Sequence, residues 1–252
     1  MKKIPLLIIP FILTSCVEPY YFQLCKITPD NGSIIKNNIV YEDDNCTVSY
    51  NLWEEGGDVG FSIFNKTQSD LTVYLNKTYF VLNGVAHEYF QNRIFTISAN
   101  KGSTVTSYNY PVYWNYNLAK VESENSIGLS TSYSEKPQVT IPSKTLITIS
   151  EYRVSQTPYI ECEFDEYPTP RNIKTLHFNT SNSPFTFYNL ITYSNTTDTL
   201  KFENKFHVSE ITNYPKSLMF DKIDTTLCGE DLNVPIHLLK HSSPDKFYIK
   251  YD

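Results

Sequence analysis

Basic residues, glycine and long apolar runs are all in short supply in this 252-residue chain, and each shortage removes a class of reading. Lys and Arg number 21 against 27 Asp and Glu, a formal net charge of −6, so there is no surplus of cations with which to follow a phosphate backbone. Nucleic acid is not an expected partner. Only eight glycines are present, and none stands in a phosphate-binding loop or around a serine as G-x-S-x-G. No cysteine and histidine share a recognisable catalytic context, no motif implies a cofactor, and no internal repeat or low-complexity segment occurs. The apolar run from Ile4 to Leu13 is ten residues long and broken by Pro5 and Pro10, whereas a membrane-spanning helix needs about 20 apolar residues.

What is abundant points to a folded chain made of strands. Apolar residues make up 40% and aromatic residues 15%, with 20 Tyr and 15 Phe. A chain of this length can bury roughly 70–75% of its unfolded surface. Aromatic and β-branched side chains fit a pleated, half-buried surface better than a helix.

The opening "MKKIPLLIIPFILTSC" has the layout of a secretory signal: Lys2 and Lys3, a short apolar middle, then small residues. Its end, Leu13-Thr14-Ser15-Cys16, resembles the lipobox of bacterial lipoproteins, in which diacylglycerol is attached to the cysteine and the peptide is cut just before it. The resemblance implies that residues 1–15 are removed, that Cys16 carries the lipid, and that the membrane is a partner through that anchor. Two or three acyl chains hold a protein stably, where one holds it only marginally. Removal of Lys2 and Lys3 leaves a formal charge of −8. Val17, not Asp, follows the cysteine, which by analogy with enteric bacteria favours the outer membrane, on its periplasmic side or at the cell surface. Residues 16–40 are read as a lipidated N-terminal arm and 41–252 as the body.

Period-two patterns run through that body. Val48, Tyr50 and Leu52 form one set, Val59, Phe61 and Ile63 a second, and Leu71, Val73 and Leu75 a third. "FVLNGVAHEYF" places Asn83-Gly84 between two apolar runs, the pair a type I′ hairpin turn favours. Strands are predicted near 93–98, 103–112, 138–142 and 145–154, the last two split by a proline corner at "IPSKT". Phe185, Phe187, Ile191 and Tyr193 share a face, as do Phe202, Phe206 and Val208, opposite Lys201, Glu203, Lys205 and His207. "DKFYIKYD" reads as a closing strand. Residues 155–172 form a long connection and the one candidate sub-boundary, and short helices are predicted near 215–222 and 234–241. The expected class is all-β, an elaborated β-sandwich with short helical pieces near the C-terminus.

"DVGFSIFNKTQSDLTVYLNKTYFVLNG" and "VTIPSKTLITISEY" resemble immunoglobulin-like sandwich modules of secreted Bacteroidota proteins. "YEDDNCTVSYNLWEEGGDVGF" (41–61), "KFENKFHVSEITNYP" (201–215) and "SPDKFYIKY" (243–251) resemble an uncharacterised group of Bacteroidota lipoproteins. That resemblance implies a place in the cell envelope and brings no activity.

Few residues stand out as chemistry. With Cys16 lipidated, Cys25, Cys46, Cys162 and Cys228 remain. They read either as two disulfides, Cys25 with Cys46 and Cys162 with Cys228 in the simplest pairing, or as buried free thiols. "ECEFDEY" gathers Glu161, Glu163, Asp165 and Glu166, a solvated acidic loop or the carboxylates of a glycan hydrolase. His237 and His241 have the spacing of metal ligands on a helix but lack the accompanying glutamate, so no metal is expected there. Thr199 and Thr225 resemble Bacteroidota O-glycosylation acceptors. "SYNYPVYWNYN" crowds Tyr108, Tyr110, Tyr113, Trp114 and Tyr116 around Pro111, more rings than one strand face can bury, which suits a glycan or an envelope protein. The expected function is non-enzymatic binding or scaffolding at the membrane, with a glycan hydrolase using 161–166 as the rival.

Overall fold

The structure, a computed structural model, describes residues 20–100, 128–195, 198–223, 226–227, 230–231 and 236–252. The strands of the first half are β1 (Tyr21–Pro29), β2 (Ser33–Ile35), β3 (Asn38–Glu42), β4 (Cys46–Tyr50), β5 (Phe61–Asn65), β6 (Leu71–Tyr74), β7 (Tyr79–Leu82), β8 (Val85–Glu88) and β9 (Ile94–Asn100). Then come β10 (Gly128–Ser134), β11 (Gln138–Ile141), β12 (Leu146–Ile149), β13 (Thr175–His177), β14 (Thr186–Ser194) and β15 (Thr199–Pro215). After a four-residue helix, α1 (Lys216–Met219), follow β16 (Phe220–Ile223), β17 (Thr226–Leu227), β18 (Glu230–Asp231), β19 (Ile236–Leu239) and β20 (Lys246–Tyr251).

Two antiparallel sheets face each other. The larger runs β11-β6-β14-β15-β1-β20, with β13 added to β15 and the β7–β8 hairpin added to β14. The smaller runs β12-β5-β4-β3-β2. The predicted alternation decides which side chains lie between them. Cys46, Val48 and Tyr50 of β4, Phe61 and Ile63 of β5, and Leu71 and Val73 of β6 are all buried. Phe187, Ile191 and Tyr193 of β14, with Phe206 and Val208 of β15, join those of β6 in the larger sheet and meet β4 and β5 of the smaller. Ring contacts close the gap: Phe206 lies 5.1 Å from Tyr50 and 5.8 Å from Tyr41, both edge-on. The architecture is an all-β sandwich, and its apolar core draws on strands from both sides of the 155–172 connection.

Turn chemistry sets the register. Asn83 and Gly84 take φ of 48° and 83° between β7 and β8, the left-handed pair a type I′ turn requires. At "IPSKT" the chain leaves β11 in the larger sheet and enters β12 in the smaller, turning on a bond from the Thr145 N–H to the Pro142 carbonyl (3.2 Å) with Lys144 at φ 58°. That proline corner is one of the seams joining the layers.

Two regions differ from the sequence reading. Residues from Tyr21 on, read as part of an arm ahead of the body, form β1, an interior strand between β15 and β20. The "YFQLCKI" stretch alternates weakly because β1 is covered on both faces. Gln23, Cys25 and Ile27 face inward, while Phe22 on the other face packs edge-on against Phe220 at 5.5 Å. The helix predicted near 215–222 is present only as α1, and of the one predicted near 234–241 the described part is not helical: Ile236–Leu239 is β19, paired with β16 from Phe220↔Leu239 to Ile223↔Ile236. Here a partner strand overrides helical spacing, since pairing satisfies the backbone that an isolated helical turn would leave open.

Candidate functional site

β9 and β10 form a ladder of their own, from Ile94↔Ser134 to Asn100↔Gly128, and pair with no other strand among the described residues. Successive side chains of a strand point to opposite faces, and near the start of this ladder exposed residues lie on both. Ile94 is 71% and Tyr133 53% exposed, and Thr96 and Ser132 are exposed as well, their hydroxyls 2.9 Å apart across the ladder. Phe95 and Tyr133 stack as a cross-strand pair at 5.2 Å. Among the described residues this two-stranded spur is paired with neither sheet of the sandwich.

An isolated two-stranded ladder is marginal in water, so the spur depends on its root. Arg93, the residue before β9, is clasped by two carboxylates. Its guanidinium donates to Glu151 through Nη1 at 2.5 Å and Nη2 at 3.0 Å, and to Glu135 just past the end of β10. Both carboxylate side chains are below a tenth exposed. Glu135 also accepts the backbone N–H groups of Gln91 (2.9 Å) and Arg93 (3.1 Å). Burial alone would raise the Glu135 pKa, but the Arg93 guanidinium and those two N–H groups outweigh it and hold it below the usual carboxylate value. Arg93 is likewise held more firmly protonated, its partial burial opposed by the two carboxylates. Beside this clasp Tyr152 lies 5.4 Å from Phe80, nearly parallel, and meets Tyr89 edge-on at 5.2 Å. The Gln91 side chain donates to the Tyr152 hydroxyl (2.8 Å) and the Glu88 carbonyl (2.6 Å). The root is a braced ion triad on an aromatic bed.

The spur's chain order gives it interest, because residues 101–127, with Tyr108, Tyr110, Tyr113, Trp114 and Tyr116, connect its two strands. Those five residues lie outside the described residues, as do Cys16, Cys228 and Thr225. Thr199 is exposed at the start of β15. Cys25 and Cys46 are buried free thiols on different sheets, and Cys162 is free and exposed, so no Cys25–Cys46 bridge is formed. Burial raises the Cys25 thiol far above its usual range; Cys46 is pushed up to about 12, by burial first and then by Asp43.

In the acidic loop, buried Phe164 pins the chain while Glu161, Glu163 and Asp165 are exposed and Glu166 is half-buried. Its groups serve local structure: the Tyr159 hydroxyl donates to Glu161 (3.2 Å), the Tyr251 hydroxyl to the Glu166 carbonyl (2.6 Å), and the Asn213 amide to the Asp165 carbonyl (3.0 Å). His237 is on a strand and His241, at φ 67°, in the turn after it, so the shared helix face does not exist. His241 stacks on Tyr214 at 5.2 Å, and burial, with Lys246 and Lys240, lowers its pKa. Among the described residues no group of three or more His, Cys, Asp or Glu could hold a metal ion, and no helix is long and apolar enough to cross a membrane.

Arg93, Glu135 and Glu151 were not singled out in the sequence. Partners 42 and 58 positions apart carry no local pattern. The available signal was that one of only three arginines precedes the strand leading into the aromatic segment. Comparison with protein-family models, curated proteins and solved structures finds no match to the chain.

Proposed function

We propose that the protein is a lipid-tethered envelope lipoprotein of Bacteroidota type, probing a glycan or an envelope protein with the aromatic segment carried between the spur strands. It acts by binding or scaffolding, without catalysis. The observation that carries this reading is the spur itself: a two-stranded ladder that pairs with neither sheet among the described residues, yet is braced at its root by partly buried charges. Burying an ion triad is costly unless geometry and hydrogen bonds are good, so a brace of this kind fits a segment held out for contact.

Layout supports the same reading. β1 begins at Tyr21, five residues after Cys16, opposite Pro215 at the end of β15. Near the spur root, Tyr79 of β7 pairs with Leu190, and Leu190 with Glu203, twelve positions before Pro215. At about 3.3 Å per residue that separation is roughly 40 Å of strand. The start of β1 and the β7–β8 hairpin that leads toward Arg93 thus lie at different levels of the larger sheet. The stretches that resemble the Bacteroidota group, 201–215 and 243–251, fall on β15 and β20, which flank β1. The immunoglobulin-like kinship and the outer-membrane placement belong to the same proposal.

The test replaces Tyr113 and Trp114 with Ala and measures retention on a panel of bacterial and host glycans and envelope proteins. Truncating a true aromatic anchor costs on the order of 2 kcal/mol or more, about 30-fold in affinity. Loss of retention with unchanged thermal stability supports the reading. Unchanged retention of a ligand that the parent protein binds overturns it.

A further inference from the structure

At the end of the larger sheet where β1 begins, two lysines converge on one ring. The ammonium groups of Lys216 and Lys250 lie 4.4 and 4.3 Å from the centroid of Tyr20. Both lysines are exposed and Tyr20 is half-buried. Elsewhere Lys26, Lys66, Lys205 and Lys240 each reach a carboxylate, at 2.9, 3.3, 2.7 and 2.9 Å. Among the described residues, Lys216 and Lys250 reach none. Two like charges are thus gathered about one aromatic ring, an arrangement whose mutual repulsion an anion close to both would relieve.

Asp165, Glu166 and Asp252 are acidic groups at this end of the sheet. Glu166 and Asp165 act on Tyr251, and Glu166 and Asp252 on Tyr167. Tyr251 and Lys250 are successive strand residues and point to opposite faces. The two lysines therefore flank the outer face that Tyr20 shares with Phe22, with Asp252, two residues beyond Lys250, as the neighbouring acidic group.

Chain length says what lies next to it. Four peptide steps separate Tyr20 from Cys16, a reach of at most about 14 Å. We infer that the Tyr20–Lys216–Lys250 cluster seats on the membrane surface and takes the phosphate of an anionic lipid headgroup, fixing how the tethered body stands on the bilayer. This rests on the lipid anchor at Cys16. Tyrosines at the same end fit the assignment: Tyr21 meets Tyr167 edge-on at 5.2 Å, and Tyr167 is 48% exposed, an amphipathic rim of the kind found at bilayer interfaces. Charge complementarity selects an anionic surface over a neutral one.

The experiment uses the full lipidated chain in detergent and in vesicles of phosphatidylcholine with or without phosphatidylglycerol. A water-soluble amine-acylating reagent is applied, and labelling of Lys216 and Lys250 is read by peptide mass spectrometry relative to Lys201, which lies near the opposite end of β15. The inference predicts that labelling of Lys216 and Lys250 slows about fivefold on vesicles containing phosphatidylglycerol, and less on phosphatidylcholine alone. Equal labelling in all three settings overturns it. So does equal protection by inorganic phosphate in detergent, which would assign the cluster to a free anion. Intact mass separates the two levels: a chain without acyl groups on Cys16 overturns the anchor and this inference with it, whereas an acylated chain with unprotected lysines overturns the inference alone. Lys216→Gln with Lys250→Gln removes the protection of neighbouring amide hydrogens on phosphatidylglycerol if the cluster is the contact, and leaves it unchanged if another surface is.

Discussion

Asn189 and Asn204 face each other across the β14–β15 ladder, both buried, and each accepts a hydrogen bond from a tyrosine outside the larger sheet's main ladder. Tyr50 of β4 donates to Asn204 at 2.6 Å, and Tyr89, four residues before Arg93, donates to Asn189 at 2.8 Å. Asn189 also donates to the Val59 carbonyl at 2.8 Å. One polar pair therefore ties the larger sheet both to the smaller one and to the approach to the spur root.

Removing the Tyr50 hydroxyl tests that tie. Asn204 Nδ2 has no hydrogen-bond partner among the described residues, so Tyr50→Phe also strips its side-chain oxygen of a bond and leaves a buried amide. The expected loss is about 1–3 kcal/mol by denaturant unfolding, with much of it recovered when Asn204→Leu is added. A single variant as stable as the parent contradicts the assignment.

The spur root is tested by Arg93→Met, which leaves Glu135 and Glu151 without the guanidinium. Amide exchange should quicken in Ile94–Asn100 and Gly128–Ser134 while β14 and β15 keep their protection. Acid should act in the same way. The Glu135 pKa is lowered in the fold, so its contribution is present above the unfolded value and is lost as pH falls through the folded one. Spur protection, corrected for intrinsic exchange, should drop below about pH 4. Uniform loss across the sheets would refute a local brace.

Alkali acts on the core instead. Tyr50 and Tyr89 are held far above the usual phenol range by burial, and Cys25 and Cys46 are likewise raised. The unfolded chain releases these protons at lower pH than the fold does. Their contribution to stability should be level up to about pH 8.5 and fall as pH rises through about 10. In native protein a thiol reagent should modify Cys162 promptly and Cys25 and Cys46 only on unfolding. Prompt modification of either buried thiol would count against the packing described.

Gly57 and Gly84 both have positive φ, 76° and 83°, but differ in surroundings. A Cβ on Gly57 would stand 2.7 Å from the Phe247 ring, and one on Gly84 would meet nothing within 4 Å. Gly84→Ala should cost about 1–2 kcal/mol from backbone strain alone, and Gly57→Ala clearly more. Equal losses in melting experiments would show that the Phe247 contact is not as placed.

Period two made much of the sandwich legible. Cys46, Val48 and Tyr50, the Asn83-Gly84 turn, and the wet face of Lys201, Glu203 and Lys205 follow from local pattern. Less legible was whatever depends on a distant partner. β1 hides its alternation because Phe22 is covered on one face while Gln23 and Cys25 are covered on the other. Ile236–Leu239 becomes a strand only because Phe220–Ile223 lies beside it. The ion triad at the spur root joins residues 93, 135 and 151, and the Tyr20 cluster joins 20, 216 and 250, sets that no window of sequence contains.

The most direct test of the account is the intact mass of the protein extracted from the membranes of its host or of a bacterial expression strain. The account predicts a chain that begins at Cys16 and carries two or three acyl groups there, and its disappearance from the membrane fraction when Cys16→Ala is introduced. A membrane-bound Cys16→Ala protein, or an extracted chain bearing no lipid on Cys16, would contradict it.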